Sequence, residues 1–242
     1  MFGVRDSGFA IRLFGLVLVI AGYFGPWVGH KTAALTVTGP ELSEFAKLFP
    51  QVQGGVVPVI RALFLTPLVA AAILLGLLAN QLINRQISKS TNRQIGKSTN
   101  RQISKSTNRQ ISKSTNRLPR TFLTLVAALF ALAALPPYQY LLAPEYRGHL
   151  VLAAGGLLLV LLTPFAGRLP RRARSVLTAL LALAGAVPAL WQFVLLHPLV
   201  VALYDEPLGL GWGLVVCVVG FALVLISGFL QLATSGQQSA VG

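Results

Sequence analysis

Three histidines and five carboxylates are the residues with the most chemistry to offer. His30, His149 and His197, with Glu41, Glu44, Glu145, Asp205 and Glu206, sit between or at the ends of long apolar runs. Imidazole and carboxylate together suit Zn²⁺ and similar ions, and the same pair can act as general acid and base. Their spacing matches no metal signature, and histidine is also an ordinary interfacial residue, so His30, His149 and His197 stand as candidate metal ligands only. No Ser/His/Asp, Cys/His or paired-carboxylate pattern occurs at usable spacing, and Ser43 beside Glu44 is no nucleophile motif. The single cysteine, Cys217, lies inside an apolar run, which excludes an intrachain disulfide framework and a multi-cysteine metal site. Ile95-Gly96-Lys97-Ser98-Thr99 resembles the end of a phosphate-binding loop, but that motif needs a glycine five residues before Gly96, and Thr91 stands there. Arg61 lies within an apolar run, where a charge is a functional candidate by default. It is close to the end of that run, where a long side chain can reach the interface. Gln139 and Gln192 are the remaining polar groups near run ends, able to pair across helices or to face headgroups. No cofactor is implied, and the balance is against an enzyme.

The elements that must position these residues are dominated by hydropathy. Of the 242 residues 55% are hydrophobic and only 11% charged, against about 25% charged in soluble domains, and mean hydropathy is +0.72. The charges cluster, leaving runs of about 20 residues nearly free of them, each long enough for a hydrocarbon core of about 30 Å. Six such spans are expected: about 13–28, 57–83, 120–142, 150–165, 175–196 and 210–230. The first is expected to be a retained span rather than a cleaved signal sequence, because it ends in Tyr23, Pro26 and Trp27 instead of a small-residue cleavage site.

Residues 84–117 set the orientation. They contain four near-identical eight-residue units (NRQISKST, with Gly in place of Ser in the second) and nine Lys or Arg with no acid. A period of eight fits neither the heptad nor the 3.6-residue helix. With one Ile per unit the segment is expected to be disordered. It reads as a tandem duplication tolerated in a loop, or as a polybasic arm that contacts anionic lipid. Short basic loops stay cytoplasmic, so 84–120 and 168–174 are expected inside, with both termini. Of the 20 Lys and Arg, 16 then fall inside, three outside, and Arg61 within a span. The net charge of +14 comes largely from the repeat, so no specific nucleic-acid partner is expected.

Residues 29–56 form the long outer loop. Thr36-Val37-Thr38 is β-prone. Thr38-Gly39-Pro40-Glu41 has the form of a helix start, and Leu42, Phe45, Leu48 and Phe49 follow at helical spacing, predicting a short amphipathic helix that caps the bundle. Leu118-Pro119-Arg120 leading to Tyr138-Gln139-Tyr140, and Leu169-Pro170-Arg171 leading to Trp191-Gln192-Phe193, suggest a duplicated hairpin within 118–232. Residues 233–242 are a polar tail.

Gly25-Pro26-Trp27, the Leu35-Thr-Val-Thr-Gly39 loop before an acidic segment, and Gly211-Trp212-Gly213 followed by Gly220 and Gly228 resemble small multi-pass bacterial membrane proteins that remain uncharacterised. The resemblance implies a cytoplasmic-membrane location and no particular chemistry. The expectation is therefore an all-α polytopic bundle with one short outer amphipathic helix, acting as a non-catalytic permease-like or accessory subunit. Its partners would be the lipid bilayer and other membrane subunits or an ATPase. The alternatives are a stand-alone membrane enzyme or metal-binding protein with an outer His/carboxylate site, and a small-molecule or lipid carrier.

Overall fold

The computed structural model describes residues 4–29, 36–95, 118–136, 138–141, 143–204 and 208–238. His30, Asp205, Glu206, repeat residues 96–117 and the end of the tail lie outside the described residues. Helices make up most of the chain. They are α1 (Val4–Phe24), α2 (Gly39–Phe45), α3 (Pro50–Gln53), α4 (Thr66–Ile95), α5 (Leu118–Leu132), α6 (Arg147–Ala166), α7 (Arg171–Tyr204) and α8 (Trp212–Gln238), joined in places by 3₁₀ turns. Three short strands, β1 (Pro26–Gly29), β2 (Thr36–Thr38) and β3 (Gly209–Leu210), form an antiparallel sheet in the order β2-β1-β3.

Among the described residues, four stretches are long and apolar enough to cross a membrane: Arg61–Leu82, Pro144–Ala166, Arg171–Tyr204 and Trp212–Ala233. Gly8–Phe24 and Thr121–Leu132 are apolar but shorter. The first of the four is the centre of the fold. In its most apolar 18-residue stretch 89% of the residues are buried, and α1, α5, α6 and α7 all pack on α4. From Leu68 to Ala79 every residue is buried, as befits a helix that is apolar all round and has no solvent face to keep. The other three candidate spans keep one face outward, with Leu158, Leu161, Val187, Trp191 and Phe229 all exposed.

The α1–α8 contact is the most extensive helix pairing, and small residues permit it. Gly8, Gly15 and Gly22 recur every seven residues on α1; Gly213, Gly220 and Ser227 do so on α8. The helices run antiparallel, so Gly15 meets Gly220 and Gly22 meets Gly213. A methyl group on Gly220 would lie 2.6 Å from the Val19 amide nitrogen and 2.7 Å from the Gly15 carbonyl oxygen. A seven-residue stripe keeps one seam facing its partner, and absent side chains let the backbones touch.

Several expectations need correction. Trp27, which closes the first expected span where an interfacial tryptophan would lie exposed, is 1% exposed; its indole N–H donates to the Gly22 carbonyl at 3.0 Å, and its ring meets Tyr23 and Phe193 edge-on. Placing Trp27 in the sheet turns it inward, whereas Trp191 and Trp212 remain exposed. The backbone of α4 stays helical through Ile95, so the first repeat unit and part of the second continue the helix where disorder was expected. Gln, Arg and Lys are good helix formers, and extending an existing helix carries no nucleation cost. The suggested hairpin duplication does not yield two like helices: α5 stops at Leu132, short of Pro136, whereas α7 runs unbroken through Pro188 and Pro198 to Tyr204. Arg12, one of the 16 charges counted inside and just ahead of the first expected span at 13–28, is 1% exposed within the helix packing, with Nε donating to Ser227 Oγ at 3.3 Å.

At the start of α2 the Thr38 N–H and hydroxyl both donate to the Glu41 carboxylate, at 2.8 and 2.9 Å. Leu42, Ala46 and Phe49 are buried and Phe45 is half-buried, but Leu48 is 65% exposed. The predicted stripe slips there because Ala46–Leu48 tightens to a 3₁₀ turn, which advances three residues per turn.

Replacing Gly220 by Ala is expected to destabilise the protein by roughly 1–3 kcal/mol through overpacking of the α1–α8 seam. Gly155→Ala, whose methyl would meet nothing within 4 Å, is expected to leave thermal unfolding in detergent unchanged.

Candidate functional site

The polar side chains that the fold gathers lie where the 39–53 cap meets the ends of α4 and α6. Ala143 is extended, and Pro144 opens a single 3₁₀ turn that ends at Tyr146. This turn throws the Tyr146 phenol toward the cap. The Tyr146 hydroxyl donates to Glu44 Oε2 at 2.9 Å. Lys47, one turn beyond Glu44, forms an ion pair with the same oxygen at 2.6 Å and also hydrogen-bonds the Tyr146 hydroxyl. Gln53 Nε2 donates to the Lys47 carbonyl at 2.6 Å, tying α3 to the same corner. The Tyr140 ring stacks on Tyr146 with centroids 5.8 Å apart. One phenol thus joins two cationic and anionic partners that are otherwise neighbours only in the cap.

Arg61 approaches the cluster from the 3₁₀ turn Arg61–Leu65. Its Nη2 donates to the Glu145 carbonyl at 2.8 Å, and its guanidinium carbon lies 5.3 Å from the Tyr146 ring centroid. Its Nη1 is buried and has no hydrogen-bond partner among the described residues. His149, in the first turn of α6, is 4% exposed and lies edge-on to Tyr146 with centroids 5.3 Å apart. Neither of its ring nitrogens has a hydrogen-bond partner among the described residues.

The residues singled out from sequence are only partly brought together. Arg61 and His149 both join the cluster around Tyr146. His197 lies inside α7 rather than in a loop, because that helix runs eight residues beyond the expected end at 196; its ring packs 5.4 Å from Phe193 and its Nε2 is buried without a hydrogen-bond partner among the described residues. His30 is outside the described residues. Among those described, no three His, Cys, Asp or Glu side chains come together in a way that could hold a metal ion. Gln192 is 2% exposed, and its Oε1 accepts the Ile60 N–H at 2.8 Å, which pins the segment entering Arg61. Gln139 is exposed and donates to the Tyr138 hydroxyl at 3.2 Å. The two glutamines therefore do different things and do not pair.

Sequence reasoning missed the two residues at the heart of the cluster, Lys47 and Tyr146. The i,i+3 spacing of Glu44 and Lys47 was a readable signal. The Tyr146 contact, 102 residues from Glu44, left no trace in local pattern. Chemically, the arrangement works as a latch. The Glu44 carboxylate is shared by an ammonium and a phenol, so it is not a free base, and Tyr146 covers the buried His149. Burial pulls the Lys47 ammonium down, but the hydrogen bonds to Glu44 and Tyr146 and the attraction of the Glu44 charge outweigh this and hold it above its ordinary value of 10.5.

Compared with protein-family models, curated proteins and solved structures, the chain shows no significant match to any.

Tyr146→Phe is expected to loosen the cap by about 1 kcal/mol, the net value of a typical hydrogen bond, and to be seen as faster tryptic cleavage after Lys47. A pH dependence follows from the raised Lys47 value. A raised cation stabilises fully below its unfolded value and loses that contribution as pH rises through the folded value. The difference in thermal midpoint between the wild type and Lys47→Met should therefore hold steady at neutral pH and narrow above about pH 10.5. An unchanged difference at higher pH would contradict the latch.

Proposed function

We propose that the chain is a multi-pass protein of a cell membrane, acting as a non-catalytic, permease-like or accessory subunit of a membrane complex. The observation that carries this reading is the packing of α4. The central helix is closed in on all sides by apolar side chains and by close contacts such as Gly76 against Thr163, Gly156 against Val69 and Gly185 against Ala70. A carrier with its own central pathway would need polar, hydrated space where this helix stands. The cap-end cluster favours the same reading, since its acid and base are committed to each other.

In this reading six helices cross, the four long ones with α1 and α5. At about 1.5 Å per residue, the 15 residues of α5 reach about 22 Å, so the turn at Ala133–Pro136 and local bilayer thinning make up the difference. The basic segments 84–120 and 168–174 and both termini face the cytoplasm, and the cap faces outward. Partners are the bilayer itself and a second membrane subunit or an ATPase.

A second reading rests on His149. A buried imidazole with both nitrogens unpartnered is costly unless something else uses it, which favours an outer-face site for catalysis or a metal. Mass spectrometry of the protein purified from native membranes in mild detergent separates the two. A stoichiometric partner is the expected result, and His149→Ala and His197→Ala variants should retain it. A homomeric species whose function is abolished by His149→Ala would replace the first reading with the second.

A further inference from the structure

α7 is longer than a span needs to be. Its 34 residues reach about 51 Å at about 1.5 Å per residue, against about 30 Å for a hydrocarbon core. α6 ends and α7 begins at the basic turn 167–170, and the 20 residues of α6 rise about 30 Å from it. The outer end of α6 is level with Gln192 of α7. Gln192 Oε1 accepts the Ile60 N–H at 2.8 Å, and a methyl group on Gly148 would lie 3.1 Å from Ala62 Cβ. The polar cluster of Glu44, Lys47, Arg61 and Tyr146 stands at this same level, which marks the edge of the apolar layer. Residues 193–204 therefore project up to about 18 Å beyond that edge.

One face of α7 is apolar and uncovered along its whole length. Val176, Leu180, Leu183, Val187, Trp191 and Val194 recur at spacings of three and four, and all are exposed. Pro198 and Ala202 continue the same line and are exposed too. The opposite face, with Gly185, Ala189 and Phe193, is buried, and α7 packs on α4 and α8. No charged residue occurs from Ser175 to Tyr204. Lipid tails suffice to cover the stripe as far as Trp191. Pro198 and Ala202 lie about 9 and about 15 Å past Gln192, and the headgroup layer adds only about 5–8 Å on each side. An apolar face that continues into water marks a protein contact.

Charge at the inner end selects the partner. Arg171 and Arg172 are exposed there, and α7 holds no acid. A second copy of the chain, inserted the same way round and packed along this face, would set these arginines beside their own counterparts, like charge on like. A different subunit can meet them with carboxylates.

We propose that the exposed face of α7 is the docking face for an apolar helix of a different membrane subunit. That helix continues past its own span on the cap side and carries carboxylates at its cytoplasmic end. The proposal rests on the accessory-subunit reading and names the surface through which that reading works.

The test introduces the photo-crosslinker p-benzoylphenylalanine in place of Ala202, or in place of Leu158 on the outer face of α6 as a control, in the full chain in its native membranes. Mass spectrometry then identifies the bridged molecule. From position 202 the expected product is a bridge to an uncharged helical stretch of a second protein that has Asp or Glu at its cytoplasmic end. Leu158, exposed on a helix that stops at the membrane edge, is expected to give lipid adducts. Val194→Glu should leave the thermal midpoint in detergent unchanged, because the residue is 63% exposed. It should nevertheless reduce the retained partner by about tenfold or more, as a charge buried without a counterpart does. Lipid adducts alone from position 202, or bridges between two copies of this chain, would overturn the proposal. So would a stoichiometric partner that Val194→Glu retains in full, and that outcome would leave the accessory-subunit reading standing. A wild type that purifies without any partner would sink both.

Discussion

Burial of residues 68–79 of α4 on every side is the constraint on which the rest of the structure depends. A helical stretch without a polar face has to be surrounded, and here α1, α5, α6 and α7 all pack on α4. Close packing of this kind leaves little tolerance for volume change. It accounts for Gly76, Gly156 and Gly185 sitting where a neighbouring side chain reaches a helix backbone. Half-buried polar groups of α4 also donate hydrogen bonds across to its neighbours. Asn80 reaches the Thr163 carbonyl and the Thr66 hydroxyl reaches the Gly185 carbonyl, at 2.6 and 3.1 Å.

The α1–α8 seam is the second consequence. α8 lies against α7 as well as α1, so the order of the bundle brings the first and last helices together. Contact between distant parts of the chain is secured by a seven-residue run of small residues on each helix, which permits backbone contact without needing large side chains. Arg12 and Ser227 sit in that seam, 215 residues apart in sequence. A charged group so placed makes the register of the two helices costly to shift, because any slip would separate the guanidinium from its hydroxyl partner.

The two ends of the bundle handle charge in opposite ways. At the cap end the Glu44 carboxylate pairs with the Lys47 ammonium and accepts from the Tyr146 hydroxyl, and the Arg61 guanidinium donates to the main-chain carbonyl of Glu145. At the other end, Arg171, Arg172 and Arg174 stand on a helix without a single acid, and Arg168 lies in the turn before it. The asymmetry is the one that the positive-inside preference produces.

The sequence by itself determined the helical class, the apolar runs, the segregation of acid from base and the start of α2 at Thr38. These follow from composition and from interactions within a few residues, so they are written locally. It also marked Arg61 and His149, because a charge or imidazole at the edge of an apolar run stands out. Only the tertiary structure decided that α4 is central, that Trp27 turns inward while Trp191 stays out, and that Pro136 follows a helix end whereas Pro188 sits within α7. Only the fold could reveal Tyr146 as the keystone of the cap, since its partner lies 102 residues away. The physical reason is the same in each case. Hydropathy says that a side chain must leave water, but which neighbour receives it depends on how whole helices stack, and that choice is made by steric fit between distant segments.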